Sequence, residues 1–144
     1  MKLKHIILFW IFFSICTSAF ANPALKTMDV KAQNHQILVC LGLNEKTADP
    51  VSFATDNPAR VILDFPGVAN ELTKEQSKVL LSTGEVKKIR VLEVEGRMRV
   101  ILDLINSVPY EIKRDHNNVC VVFSDHTNPS DPKVTPFAGT AQKN

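Results

Sequence analysis

The stretch Arg60-Val61-Ile62-Leu63-Asp64-Phe65-Pro66-Gly67 decides how this chain folds, and its first five residues recur as Arg99-Val100-Ile101-Leu102-Asp103. Both copies alternate in the two-residue period of a β-strand. In the first copy Ala59, Val61, Leu63 and Phe65 share one side, while Arg60, Ile62 and Asp64 share the other. In the second, Met98, Val100, Leu102 and Leu104 face inward, and Arg97, Arg99, Ile101, Asp103 and Ile105 face outward. Val, Ile and Leu recur in any strand-forming sequence. Arg and Asp returning to the same two outward places is not explained by strand propensity. Nor does a purely solvated face ask for Ile62 and Ile101. Within one strand an Arg and an Asp four residues apart stand ~13 Å from each other. Each therefore needs a partner on a neighbouring strand or in a ligand.

More strands follow outward from the repeat. Gln36–Leu43 alternates with Ile37, Val39, Leu41 and Leu43 on one face. A shorter extended piece from Pro50 closes at Asn57-Pro58, and Pro66-Gly67 ends the first repeat. Residues 85–94 and 97–105 flank Glu95-Gly96, where glycine supplies the positive φ of a tight hairpin turn. A second hairpin joins Pro109–Arg114 to Asn118–Phe123 across Asp115-His116-Asn117-Asn118. Residues 71–82 fit either one or two helical turns or an irregular loop, with Thr73 and Gln76 at capping-box spacing. Short strands at hairpin spacing without a long helix imply an all-β sandwich.

The ends differ from this body. Lys2 and Lys4 precede an apolar run from Ile6 to Ile15, and Ala19-Phe20-Ala21 completes a secretory signal pattern, with cleavage expected after Ala21. The run is short for a membrane span of ~20 residues, so no stable span is expected after cleavage. The expected organisation is a signal peptide at 1–21, a domain at 22–124 and a Pro-rich flexible tail or linker at 125–144. Export implies the periplasm. Beyond residue 21, 15 Lys and Arg balance 15 Asp and Glu, so no bulk positive field draws nucleic acid. Cys40 and Cys120 remain; an oxidising compartment permits a disulfide between them, and two free cysteines in small apolar sites fit the sequence equally.

Catalytic and metal constellations are not found. His35, His116 and His126 lack a ligand spacing such as H-E-x-x-H, and Asp125–Asp131 lacks the spacing of a calcium loop. No nucleophile motif or phosphate-binding loop occurs, and no cofactor is implied. Lys87-Lys88-Ile89-Arg90 reads as a charged strand face that discourages edge pairing rather than as a nucleic-acid site.

The segments 57–67, 86–91 and 96–104, in an exported chain, resemble the AMIN domain of periplasmic cell-wall amidases and type IV pilus secretins. The resemblance covers Leu25 to Ser124. It implies a β-sandwich of two similar small sheets carrying the internal R-V-x-L-D repeat, with one copy on each outer face. It further implies a non-enzymatic periplasmic module that binds peptidoglycan, with pilus or other envelope proteins as further partners. By this resemblance Arg60, Ile62 and Asp64 form one binding face and Arg99, Ile101 and Asp103 the other. Asp64 and Asp103, on opposite sheets, would then stand too far apart for a glycosidase pair. The Pro-rich stretch after the domain favours the secretin type of host over the amidase type. A second reading from the residues is an adaptor that docks an envelope protein by strand addition at a sheet edge. An exposed, apolar, unpaired edge would distinguish it.

Overall fold

The computed structural model describes residues 22–34, 36–82 and 84–124. The signal segment, the Pro-rich tail, His35 and His126 lie outside the described residues. Ten strands form: β1 (Ala24–Gln33), β2 (Gln36–Leu43), β3 (Val51–Asp56), β4 (Ala59–Pro66), β5 (Ala69–Asn70), β6 (Lys78–Leu80), β7 (Val86–Val94), β8 (Arg97–Leu104), β9 (Tyr110–Asp115) and β10 (Asn118–Ser124). They make two five-stranded sheets, β5-β1-β2-β10-β9 and β3-β4-β8-β7-β6. No helix among the described residues is long and apolar enough to cross a membrane.

The alternation seen in the sequence is the alternation that builds the core. The first sheet contributes Leu25, Val39, Leu41, Val119, Val121 and Phe123. The second contributes Val61, Leu63, Phe65, Ile89, Met98, Val100 and Leu102. Each such side chain stabilises the fold by about 1.5–3 kcal/mol through burial. Because this core claims every second residue of β4 and β8, the residues between them are fixed on the outside.

The turns follow local chemistry. Glu95 and Gly96 both have positive φ, 46° and 75°, and Val94 pairs with Arg97, so the β7–β8 hairpin closes through a two-residue type I′ turn. At 71–82 the structure selects the irregular alternative. Thr73 N–H donates to Gln76 Oε1 at 3.0 Å and Gln76 N–H to Thr73 Oγ1 at 3.2 Å, so the capping-box pair closes one turn. The chain then enters β6 beside β7 instead of continuing as a helix.

Two expectations are corrected here. Lys87–Arg90 lies in β7, which has β6 outside it and so is not an edge strand. The two repeat copies are also not on opposite sheets: β4 and β8 are antiparallel neighbours within one sheet.

Candidate functional site

The site is the outer face of the β3-β4-β8-β7-β6 sheet. β4 and β8 pair with Ile62 opposite Ile101, which places Arg60 opposite Asp103 and Asp64 opposite Arg99. This follows from the repeat itself. Two identical strands with a cation at one end and an anion four residues later become complementary when one is reversed against the other. Hence all six residues expected in binding share one face, with a local two-fold relation about the isoleucine pair.

At one end Arg99 grips Asp64 side-on, Nε donating to Oδ1 and Nη2 to Oδ2, both at 2.7 Å. Arg97 adds an Nη1 contact to Asp64 Oδ2 at 3.4 Å. At the other end Arg60 Nε donates to Asp103 Oδ1 at 2.7 Å. Arg90 Nη2 reaches both oxygens of Asp103, at 3.1 and 3.0 Å. Each carboxylate thus sits between two guanidinium groups, a charge-assisted arrangement with fixed geometry.

Asp64 is only 5% exposed, the one buried charged residue among those described. The hydrogen bonds from Arg99 hold its carboxyl below the usual value, against the opposing effect of burial, with the charges of Arg99 and Arg97 adding to the lowering. Reciprocally, the bond to Asp64 raises the pKa of Arg99 further above its already high value.

An apolar lane runs between the two charged ends. Phe53 pairs with Ile62 and Ile62 with Ile101, so these three side chains form one row across β3, β4 and β8. Phe53 is 41% exposed, and the Arg99 guanidinium carbon stands 5.9 Å from its ring centroid, within cation–π range. Val51 and Leu92, also exposed, extend the lane at the Asp64 end. Lys78 and Lys88 lie on the same face by register with Arg90 and Asp103. Four arginines and two lysines therefore share the face with the two repeat aspartates, and its field is positive although the body is neutral.

Sequence reading did not find Arg90, Arg97 and Phe53 as site residues. Arg97 was legible as outward, but its reach to Asp64 depends on β4 lying next to β8. Arg90 was hidden in a basic cluster, of which alternate residues now point to opposite sides: Ile89 is in the core and Arg90 is on the face. No periodic signal tied Phe53 to the repeat. Asp64 and Asp103 still make no glycosidase pair, for a different reason. They sit four residues apart along the strand direction, ~13 Å, and each is held by arginines.

The other outer face bears no copy of the repeat. Cys40 of β2 lies directly opposite Cys120 of β10, and the two sulfurs are joined, closing a sequence separation of 80 residues. His116 lies in the β9–β10 turn with positive φ, its Nδ1 2.6 Å from Asp115 Oδ1.

This arrangement has relatives. The curated "Fimbrial assembly protein PilQ" of Pseudomonas aeruginosa is 32% identical over 102 residues, which are 70% of this chain and 14% of that protein. The chain therefore spans about one seventh of the length of this relative. The family model described as "AMIN domain" matches residues 24–123, from the first residue of β1 to the penultimate residue of β10, and the chain belongs to the AMIN domain family.

Proposed function

We propose that this chain is a non-enzymatic periplasmic module that binds peptidoglycan through the β4–β8 face and so positions a host or partner protein at the cell wall. The single observation that carries the reading is the composition of that face: guanidinium groups at both ends of an exposed apolar lane. Arg60 and Arg97 are the outward members of the two clusters, each 40% exposed. Each guanidinium has five N–H donors in a fixed fork. The bonds to Asp103 and Asp64 use only some of them, and the remainder suit the carboxylates of wall stem peptides. Ile62, Ile101 and Phe53 offer apolar contact to a sugar or peptide face. Stacking surface is limited to Phe53, so affinity per site is expected to be weak, about millimolar to tens of micromolar, with a polymeric ligand supplying avidity. A role in type IV pilus secretin assembly is the host context that the similarity to a fimbrial assembly protein favours.

Co-sedimentation with purified sacculi tests this. The parent protein is expected to pellet, and the Arg60→Gln, Arg97→Gln double variant to remain in the supernatant with an unchanged circular dichroism spectrum. Both substitutions spare the Asp64–Arg99 and Asp103–Arg90 contacts. Equal pelleting of parent and variant, or no pelleting of the parent, would overturn the assignment of this face.

A further inference from the structure

We infer that β3 is a docking edge for an extended polypeptide segment of another protein, one that alternates apolar residues on its outward side with an acidic residue opposite Thr55. The sandwich has four edge strands, and they are not equivalent. β5 has two residues and β6 three, too short to template a partner. β9 carries Glu111, Lys113 and Arg114, with Lys113 paired to Glu111 at 3.3 Å and Arg114 Nε to Asp49 Oδ1 at 2.8 Å. Charges of this kind blunt an edge. β3 has none of these protections. From Val51 to Thr55 it contains no charged residue and no proline.

Its exposure is two-sided. All six residues of β3 are exposed, including Ser52 and Ala54, which have the inward parity. The opposite sheet reaches β3 through Tyr110 of β9, whose hydroxyl donates to Ser52 Oγ at 3.4 Å, yet it leaves all six residues exposed. Val51 at 60% and Phe53 at 41% are exposed on the outer side. Its C-terminal end is pinned: Thr55 Oγ1 donates to Pro58 O at 2.6 Å, and Ser107 Oγ donates to Asp56 Oδ1 at 2.7 Å. The edge is thus held extended without being paired on its free side.

The size of the edge selects the occupant. Six residues span about 20 Å. Two folded domains meeting only there would bury less than the ~1,000 Å² that a stable interface needs. An extended segment gains main-chain hydrogen bonds along its whole length, and its alternate side chains supply specificity. Charge gives the sequence preference. Thr55 pairs with Arg60, which binds Asp103 through Nε and is 40% exposed. A glutamate opposite Thr55 lies two strands from Arg60, within reach of two long side chains. β-Branched residues opposite Phe53 and Val51 would continue the apolar lane across a sixth strand.

The test titrates the purified, oxidised protein with a fluorescein-labelled hexapeptide, Ser-Glu-Thr-Ile-Thr-Val, aligned antiparallel so that its glutamate faces Thr55. Anisotropy reads affinity, and backbone amide chemical shifts read the location. Saturable binding is expected, with the largest shifts in β3. N-methylation of the alternate peptide amides that face the edge should weaken binding at least about tenfold. Replacing the peptide glutamate by lysine should weaken it about fivefold in the parent and not in Arg60→Gln. Ala54→Lys, a guard charge on an already exposed position, should also weaken it. Absence of saturable binding, indifference to N-methylation, or shifts centred on β9 or β6 would overturn the inference. So would concentration-dependent dimerisation that Ala54→Lys abolishes, which would make a second copy the occupant. Sacculus binding does not enter this test, so its outcome is independent of the wall-binding proposal.

Discussion

Asp64 and Arg99 meet side-on across the β4–β8 pair, with both hydrogen bonds at 2.7 Å, and they are the last residue of one copy and the first of the other copy of one pentapeptide. The Arg60–Asp103 pair at the other end is the second copy of this relation. The repeat is therefore self-complementary within its own sheet. Its charges fix the register of two central strands, since a one-residue slip would place every charge on the core side. A ligand of the proposed face would have to be recognised by the donors left after this internal pairing.

The two ends are expected to differ in energetic weight. Asp64 is nearly buried, whereas Asp103 is partly exposed. Removing one member of a well-formed, desolvated pair strands its partner. Asp64→Asn should therefore lower unfolding stability by about 2–3 kcal/mol. Asp103→Asn should cost less, about 1–2 kcal/mol, because its carboxylate is the more exposed of the two, 15% against 8%, while the paired arginines are equally exposed. Urea denaturation midpoints of the two variants measure the difference. Equal effects would show that burial does not set the order.

The same carboxylate makes stability depend on pH. The carboxyl of Asp64 titrates below its ordinary value of 3.8 in the folded protein. The folded state thus binds that proton more weakly than the unfolded chain. Its contribution is fully present above the unfolded value and is lost as pH falls through the lower, folded one. Between pH 7 and about pH 2 the parent should lose more stability than Asp64→Asn, which has no such proton to bind. Denaturant midpoints for the two proteins at both pH values test this. Parallel pH profiles would remove Asp64 as the source.

How much of this was legible follows from parity. Where the sequence alternates strictly, as in β4 and β8, sequence reading placed the inward residues correctly, because burial on one face leaves no other choice. β1 escaped notice although it is the longest strand. A register irregularity between Leu25 and Thr27 shifts its phase, so Leu25 faces the core at an odd position and Met28 and Val30 at even ones. Gly42, opposite Thr27, allows that irregularity: a β-carbon there would lie 2.3 Å from Thr27 Oγ1. The pairing of β4 with β8 was not legible. Alternation tells which side of a strand is buried and is silent on which strand lies next to it. The complementary order of charges in the repeat was the available clue, and the implied arrangement on opposite sheets set it aside.

The β7–β8 turn offers a stabilising change. Glu95 adopts positive φ in a type I′ turn, where asparagine is favoured. Its contact to Arg97 is 3.6 Å long, and Glu95 is exposed. Glu95→Asn should raise stability by about 0.5–1 kcal/mol, while Gly96→Ala should lower it by about 1 kcal/mol. Thermal unfolding of both variants decides whether backbone strain or the Glu95–Arg97 contact dominates at this turn.

The disulfide and the repeat occupy the outer faces of different sheets, which makes the proposed wall-binding face separable from the bridge. Cys40 and Cys120 tie β2 to β10 in the first sheet, while Arg60 and Arg97 lie in the second. In the chain-entropy treatment a bridge closing 80 residues stabilises by ~4 kcal/mol. The Cys40→Ala, Cys120→Ala variant should therefore unfold at lower denaturant by about 2–4 kcal/mol of stability. Below its own unfolding transition it should still bind sacculi as the parent does, because no residue of the charged face touches the bridge. A folded double-alanine variant that fails to pellet would mean that the wall contact lies on the disulfide face, not on the β4–β8 face.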